Sequence, residues 1–450
     1  MNILHRIVLS VFPGRQNAKN RGSERPKIFR SFLLHFRPST VSERTLRLSL
    51  TWALGGTATI LVFILFGTGL MLKFLYVATP EQAYDSIVYL NQQVPFGRLI
   101  RNLHRWSANG LLLVVFLHFL RIFYTGAFAP PRQFNWIIGL CLFALVTLSN
   151  FTGYLLPWDQ LAYWAITIST SMLEYFPGIG SALRQWILGG TEAGARTLAN
   201  FYALHTAVLP AFLLFFVPFH FWRIRKAHGL VIPRSPEETL PVNDTLLPAV
   251  PHLVVRDISL TLIVMAIVLL IAMLFDAPLT NPANPGLSPN PTKAPWYFMG
   301  IQELLMHFHP VFALIVIPLL LSVALLLIPY FGQETATSGI WFRSRSGRMM
   351  SLITFIFGIL LTVGAVLLDE LIFNTRSTGP ANLITNGLLP FSVMLVIGLV
   401  FTLLMKKVFD ADQGETIQVV FTMLVTVFIS LTIIGVWFRG PGMQLMWTGG

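Results

Sequence analysis

The sequence predicts an all-α protein: a polytopic transmembrane helical bundle of about nine spans, with a four-helix core followed by a C-terminal helical module. Three observations predict it. The 450-residue chain is 54% hydrophobic and only 11% charged, whereas about 25% charge is usual for a soluble domain. Nine stretches are long and apolar enough to cross a bilayer: 49–72, 106–124, 134–156, 201–222, 257–275, 311–330, 350–368, 387–405 and 416–437. And four histidines, two in each of two apolar segments, repeat nearly the same spacing.

The histidines carry the functional reading. Arg98 to Phe123 contains His104 and His118, and Ala199 to Trp222 contains His205 and His220. A gap of fourteen or fifteen residues is about four helical turns, so both members of a pair lie on nearly one helix face, roughly 21–22 Å apart at ~1.5 Å per residue. Two such helices side by side hold two haems stacked across a membrane, each ligated by one histidine from each helix. A single histidine in an apolar helix is usually a hydrogen-bonded core residue. Ionisable residues inside a bilayer are costly and mark function, and two matched pairs are not explained by packing. Glycines repeat the spacing: Gly55 and Gly69 in the first span, Gly139 and Gly153 in the third, each pair fourteen apart. Glycine lets a flat macrocycle approach a helix backbone, although glycines also serve helix packing in membranes. Arg101 and Arg121 each stand three residues from a ligand histidine, at opposite ends of one helix, where they can pair haem propionates or anchor at the interface.

The net charge of +12 invites a nucleic-acid reading, but its placement excludes one. Ten Lys and Arg precede the first span, among them Arg21, Arg25, Lys27, Arg30, Arg37, Arg44 and Arg47. Arg223, Arg225, Lys226, Arg234 and Arg256 follow the fourth span, and Arg343, Arg345 and Arg348 the sixth. Loop 74–97 has no Lys or Arg, only Glu81 and Asp85. This is a positive-inside pattern, expected of a multi-pass protein of the bacterial cytoplasmic membrane with a cytoplasmic N-terminus. The apolar run Ile7 to Phe12 is too short for a signal peptide. The one cysteine, Cys141, permits no internal disulfide, no Cys-x-x-Cys-His haem attachment and no cysteine-based iron–sulfur set. The haems are therefore expected to be non-covalent, and Cys141 to be a small packing residue.

Four regions are expected. Residues 1–47 form a basic cytoplasmic arm, with a surface helix around Lys27–Phe36. Residues 48–225 form the di-haem module. A proline-bearing cytoplasmic linker spans 226–255, with Pro233, Pro236, Pro241, Pro248 and Pro251. Residues 256–450 form the C-terminal membrane module. Two outer stretches fall on one face of the membrane: Pro157–Leu198, with an amphipathic segment Leu161–Phe176, and Pro278–His309, rich in proline and aromatics.

The stretches RNLHRWSANGLLLVVFLHFLR, TGYLLPWDQLAYW and FYALHTAVLP with FHFWRIRK resemble the cytochrome b subunit of quinol–cytochrome c and quinol–plastocyanin oxidoreductases, over about residues 30–330, in a fused bacterial form. The fifteen-residue gap from His205 to His220 and the Pro157–Gln160 segment look like the plastid type. The resemblance implies two b-type haems and a quinone or quinol substrate, menaquinone or ubiquinone. It implies a Rieske-type iron–sulfur protein and a c-type cytochrome as partners, and a homodimer within a larger complex. Quinol is then oxidised on the outer side, one electron going to the iron–sulfur protein and the other through the two haems to a quinone-reducing site near the cytoplasm. Carried over, His104 and His205 bind the outer haem, and His118 and His220 the inner. The outer pocket is built from Tyr154–Gln160, the following helix and residues 294–303, including Trp296 and Tyr297. The inner pocket includes Asp257, with Arg225, Lys226 and His228 as neighbours. Asp257 can instead be a helix N-terminal charge favoured by the macrodipole.

Three departures stand out. The family's Pro-Glu-Trp-Tyr appears as Ala294-Pro295-Trp296-Tyr297, without the glutamate that accepts a proton from quinol. Proton transfer needs a group within hydrogen-bond reach. Glu303, on a short amphipathic helix Phe298–His307, is the first candidate and Asp159 the second, with His307 and His309 also in range. Ala53 stands where the plastid type has the cysteine of an extra haem. The last span, 416–437, exceeds the family's usual eight and has no legible role. The alternative function is a di-haem membrane anchor that exchanges electrons between quinone and a multihaem partner without bifurcation. A transporter would need broken helices around an intramembrane site, and the ionisable residues here match haem ligation instead.

Overall fold

The computed structural model describes residues 3–11, 40–227, 229–233, 245–331, 338–373 and 382–446. The expected surface helix around Lys27–Phe36, His228, Arg234, Pro236 and Pro241 lie outside the described residues. Among those described, nine helices are long and apolar enough to cross a membrane, one for each expected stretch. They are Leu54–Lys73, Gly97–Tyr124, Gln133–Leu155, Ala195–Lys226, Ala249–Leu274, Phe312–Tyr330, Arg345–Phe373, Ile384–Phe409 and Gln413–Trp437. The second begins nine residues before the hydropathic start at 106. Its polar first turns are accommodated by partners: Arg101 and Asn102 are buried there, with hydrogen bonds to the loop after the fifth span and to the end of that span.

Four spans contain a π-helical turn, at Leu204–Val208, Phe312–Val316, Asp369–Phe373 and Ile384–Leu388. Three of these are followed two residues later by Pro210, Pro318 or Pro390. Proline has no N–H, and its ring crowds the carbonyl four residues back, so the preceding turn widens. The first of these turns holds His205. It inserts the one extra residue that makes the His205–His220 gap fifteen rather than fourteen.

The first span packs along the second, the third along the fourth, and the second and third against each other. The fifth lies across the first and second. Its outer end is fixed by the Arg98–Asp276 ion pair, by the Asn102 amide donating to the Ala272 carbonyl at 2.9 Å, and by its oxygen accepting from the Ala277 N–H at 2.8 Å. The ninth span runs between the seventh, the eighth and the short helix Met299–His307. Small residues let it approach. A Cβ at Gly358 would stand 3.0 Å from Thr426, and one at Gly435 2.9 Å from Met299, the close contact that drives helix association in lipid. Phe421 of this span stacks on Phe123 of the second at 3.6 Å, and Thr422 shares a hydrogen bond of 3.0 Å with the Tyr124 hydroxyl. The segments on either side of linker 226–255 thus share one core of Phe123, Phe128, Trp136, Ile328 and Phe421. The ninth span, without a role in the sequence, ties that core together.

Thr40–Ser42 pairs antiparallel with Leu246–Pro248, joining the N-terminal arm to the linker. A helix at Ile3–Val11, which the sequence does not suggest, packs near the third and sixth spans. Its Ser10 hydroxyl lies 3.1 Å from that of Tyr330, and its Ser10 carbonyl accepts from Arg223. Cys141 is exposed on the third span rather than packed as expected.

Candidate functional site

Each expected ligand histidine faces one of the four spaced glycines. A Cβ added at Gly153 would stand 2.5 Å from Cε1 of His205, at Gly69 3.1 Å from Cε1 of His104, at Gly55 3.5 Å from Cε1 of His118, and at Gly139 3.7 Å from Cε1 of His220. The first span therefore backs both histidines of the second, and the third span both of the fourth. The His104 and His205 rings stand edge to face with centroids 6.1 Å apart. His118 lies near enough to His220 for their charges to interact. The pairs are fourteen or fifteen residues apart along their helices and so lie at two depths.

Hydrogen bonds aim the outer rings. The His104 Nδ1 is 2.9 Å from the Thr68 hydroxyl, and the His205 Nδ1 is 3.0 Å from the Ser149 carbonyl and 3.3 Å from the Thr152 hydroxyl. Both contacts leave Nε2 for a metal, the second partner fixing ring orientation as in other metal-ligating histidines. The inner rings differ: the Nδ1 atoms of His118 and His220 are buried without a partner. Arg121 is 3% exposed and donates from Nε to the Leu50 carbonyl at 2.8 Å, while its Nη2 is buried and unpartnered. An orphaned guanidinium nitrogen suits a carboxylate such as a propionate. Arg101 instead donates to the carbonyls of Ala277 and Pro278, at 3.0 and 2.6 Å, so its first role is to hold the outer loop. With two histidine pairs and four facing glycines, these residues fit two haems.

The two outer stretches expected on one membrane face are hydrogen-bonded together. The Gln160 N–H donates to the Asn281 carbonyl at 2.8 Å, the Ala283 N–H to the Trp158 carbonyl at 3.2 Å, and the Asn284 N–H to the Gln160 side chain at 2.6 Å. Asp159 is the joint. One carboxylate oxygen accepts from the Ala162 N–H, capping helix Gln160–Ser171, and the other from the Thr280 N–H, both at 2.9 Å. Both oxygens of this second candidate for the missing proton acceptor thus accept from backbone donors.

Trp296 and Tyr297 reach the second span. The Trp296 indole donates to Asn109 at 3.2 Å. The Tyr297 hydroxyl is buried without a partner. Burial pushes its phenol above the ordinary value, against the pull of the Arg105 charge. Arg105, next to His104 in sequence, lies over the Tyr154 ring at 5.2 Å, with its Nε buried and unpartnered. Tyr154, Tyr297 and Arg105 thus converge, with Arg105 next in sequence to His104.

Glu303 is wholly buried on helix Met299–His307. Both its oxygens accept from Nε of Arg439 at 3.0 Å, and His307 Nε2 lies 3.2 Å away. Burial tends to raise this carboxyl; the hydrogen bonds and charges of His307 and Arg439 outweigh it and hold the carboxyl below its ordinary value. The first-choice acceptor is thus a carboxylate held ionised beside a buried guanidinium. Asp257 is exposed and more than a turn inside helix Ala249–Leu274, beyond the first turn over which the macrodipole acts. The sequence does not single out Arg105, Asn109 or Arg439. The first two fall within the resembling stretch RNLHRWSANG, so that stretch is the signal that could have found them.

This arrangement defines a class: a membrane bundle with bis-histidine sites at two depths and an aromatic outer pocket. A sequence profile described as Cytochrome b/b6/petB matches residues 41–228. Cytochrome b6 of Acaryochloris marina is 42% identical over 175 residues, 39% of this chain and 81% of that protein. Cytochrome b6 of Heliomicrobium gestii is 41% identical over 178 residues, 40% of this chain and 84% of its own length. A chain of the solved structure "Hyperthermophilic respiratory Complex III" shares the fold, with TM-score 0.62, 21% identity, and 95% of this chain and 98% of that one covered. The chain belongs to the cytochrome b/b6 family.

Proposed function

We propose that this chain is the di-haem cytochrome b subunit, and a catalytic part, of a quinol-oxidising electron-transfer complex of the bacterial cytoplasmic membrane, contributing to proton translocation. What carries the reading is the one-to-one facing of His104, His118, His205 and His220 with Gly69, Gly55, Gly153 and Gly139. His104 and His205 hold the outer haem and His118 and His220 the inner, and the haems supply a one-electron carrier at each depth. Thr68, Ser149 and Thr152 fix the outer ligand rings, and Arg121 takes an inner propionate.

The outer quinol, a menaquinol or ubiquinol, lies beside Tyr154, Tyr297 and Trp296, where the buried Tyr297 hydroxyl and Arg105 Nε are free to bond its oxygens. Joined to helix Gln160–Ser171 through Asp159, the outer loop shields this pocket from water. The inner quinone site lies at the cytoplasmic start of the fifth span, with Asp257 as proton donor and Arg225 and Lys226 nearby. A Rieske-type protein and a c-type cytochrome take electrons on the outer side, and the complex is a homodimer. The anchor reading gains from one observation, that Glu303 is engaged by Arg439. The test is quinol-driven haem reduction in the purified complex with the inner site inhibited, compared between parent and Tyr297→Phe. Reduction in the parent that slows in the variant supports the reading; a parent in which quinol reduces nothing sinks it in favour of the anchor.

A further inference from the structure

Five charged or titratable side chains from three segments meet at the outer end of the C-terminal bundle. Glu303 and His307 come from the helix after Trp296-Tyr297, Asp369 and Glu370 from the end of the seventh span, and Arg439 from the segment after the ninth. Arg439 Nη1 donates to Glu370 at 2.6 Å and to the Met443 carbonyl at 3.1 Å, while Nε donates to both Glu303 oxygens. His307 Nδ1 lies 2.6 Å from Asp369 Oδ2.

The other ring nitrogen has two neighbours of opposite kind. Nε2 is 3.2 Å from an acceptor, Glu303 Oε1, and 3.3 Å from a donor, Arg439 Nη2. A protonated ring donates to Glu303; a neutral ring accepts from Arg439. Both protonation states are satisfied with the ring in one position. Side-chain exposure rises along the chain, from 0% at Glu303 to 10% at His307, 12% at Asp369 and 19% at Glu370. The buried end is tied to the outer pocket. Gln302 accepts from the Ala294 N–H at 2.7 Å and donates to the Thr292 carbonyl at 2.8 Å, and Lys293 donates to the Val436 carbonyl at 3.0 Å. His309, the next titratable group, is turned away and accepts from the Val311 N–H.

We propose that His307, set between Glu303 and Asp369, carries the proton released at the outer quinol site to the outer surface, in place of the acceptor that Pro295 removes. This rests on the quinol reading above. Oxidation of one quinol to quinone yields two electrons, which go to the two one-electron acceptors of that reading, and two protons. One proton leaves with the electron that goes to the Rieske-type protein, and the other passes through water to the Nε2 lone pair of neutral His307. The imidazolium gives its Nδ1 proton to the Asp369 carboxylate, which releases it to solvent, and a half-turn of the ring, now protonated on Nε2, restores the Nδ1–H tautomer before the next proton arrives. Only O–H and N–H bonds break and form. Arg439 keeps Glu303 ionised, so Glu303 stabilises the imidazolium without taking its proton. The ring's basicity agrees: burial tends to lower it, but the hydrogen bonds to Asp369 and Glu303 raise it above the ordinary imidazole value.

The test is the rate of quinol-driven haem reduction against pH in the whole complex, with the inner site inhibited, for the parent, His307→Gln and Asp369→Asn. His307→Gln keeps a polar side chain but carries no proton. It should slow reduction about a hundredfold, the scale of a lost acid–base group, and flatten the pH profile, while the dithionite-reduced spectrum still shows both haems. Asp369→Asn should slow it in the same sense, and it decides the matter if His307→Gln does not assemble. Parent rates and pH profile in both variants would overturn the relay, as would slowing by one factor at every pH, the mark of a merely structural role. A parent that oxidises no quinol contradicts the quinol reading itself, and the relay with it.

Discussion

Substituting Gly153 by alanine adds one methyl group at the tightest point of the outer site. The new Cβ stands 2.5 Å from Cε1 and 3.0 Å from Nδ1 of His205. Ordinary carbon contacts lie at about 3.5–4.0 Å, so the ring must retreat by about 1 Å. It cannot do so freely, because Nδ1 is held by the Ser149 carbonyl and the Thr152 hydroxyl. Disturbing what orients a metal ligand typically costs about 10–100-fold in affinity, so Gly153→Ala should purify with the outer haem largely lost and the inner one kept. Gly69→Ala, at 3.1 Å from His104, should weaken the same haem less. Gly55→Ala and Gly139→Ala, at 3.5 and 3.7 Å, are in ordinary contact and should keep both. Haem content per chain, from the reduced pyridine adduct, reads the whole series. Two haems in Gly153→Ala at parent content, or loss in Gly139→Ala equal to that in Gly153→Ala, would refute the reasoning.

Three further outcomes follow from the same geometry. His118→Leu or His220→Leu should each remove the inner haem and leave the outer, and a variant of either kind that keeps both refutes the pairing. Asp159→Ala strands the Ala162 and Thr280 N–H groups and should cost about 2 kcal/mol at roughly 1 kcal/mol per lost bond, seen as a lower thermal midpoint in detergent; an unchanged midpoint counts against the joint. The Glu303–His307–Arg439 cluster should give stability its own pH dependence. Glu303 is held below its ordinary 4.5, so its contribution is complete above that pH and lost as pH falls through the lower folded value. His307 is held above its ordinary 6.5, so its contribution is complete below that pH and lost as pH rises through the higher folded value. Melting temperature should therefore be highest between 4.5 and 6.5 for this cluster, and Arg439→Gln should flatten the acid limb; identical limbs in parent and variant would contradict it.

The spans were legible because crossing a bilayer demands long apolar runs, and the ligand histidines because an ionisable group there needs a reason. The glycine partners were legible as spacing, although not which histidine each would face. What escaped the sequence depends on distant partners. Glu303 reads as a free carboxylate until Arg439, 136 positions away, is seen beside it. Asp159 reads as a loop charge until Thr280 is seen to donate to it. The last span looked superfluous because its value lies in packing against Phe123, Met299 and the seventh span rather than in any motif. The fifteen-residue histidine gap looked like a family mark; its physical cause, a widened turn ahead of Pro210, needs backbone geometry.

The central claim is that quinol delivers electrons to two non-covalent b-type haems held at two depths by these four histidines. A time-resolved absorbance record of the purified complex after a quinol pulse tests it most directly. The account predicts that two b-type components, both extractable by acid acetone, become reduced, and that only one does so in His118→Leu. No reduction by quinol, a single component in the parent, or two components in His118→Leu would contradict it.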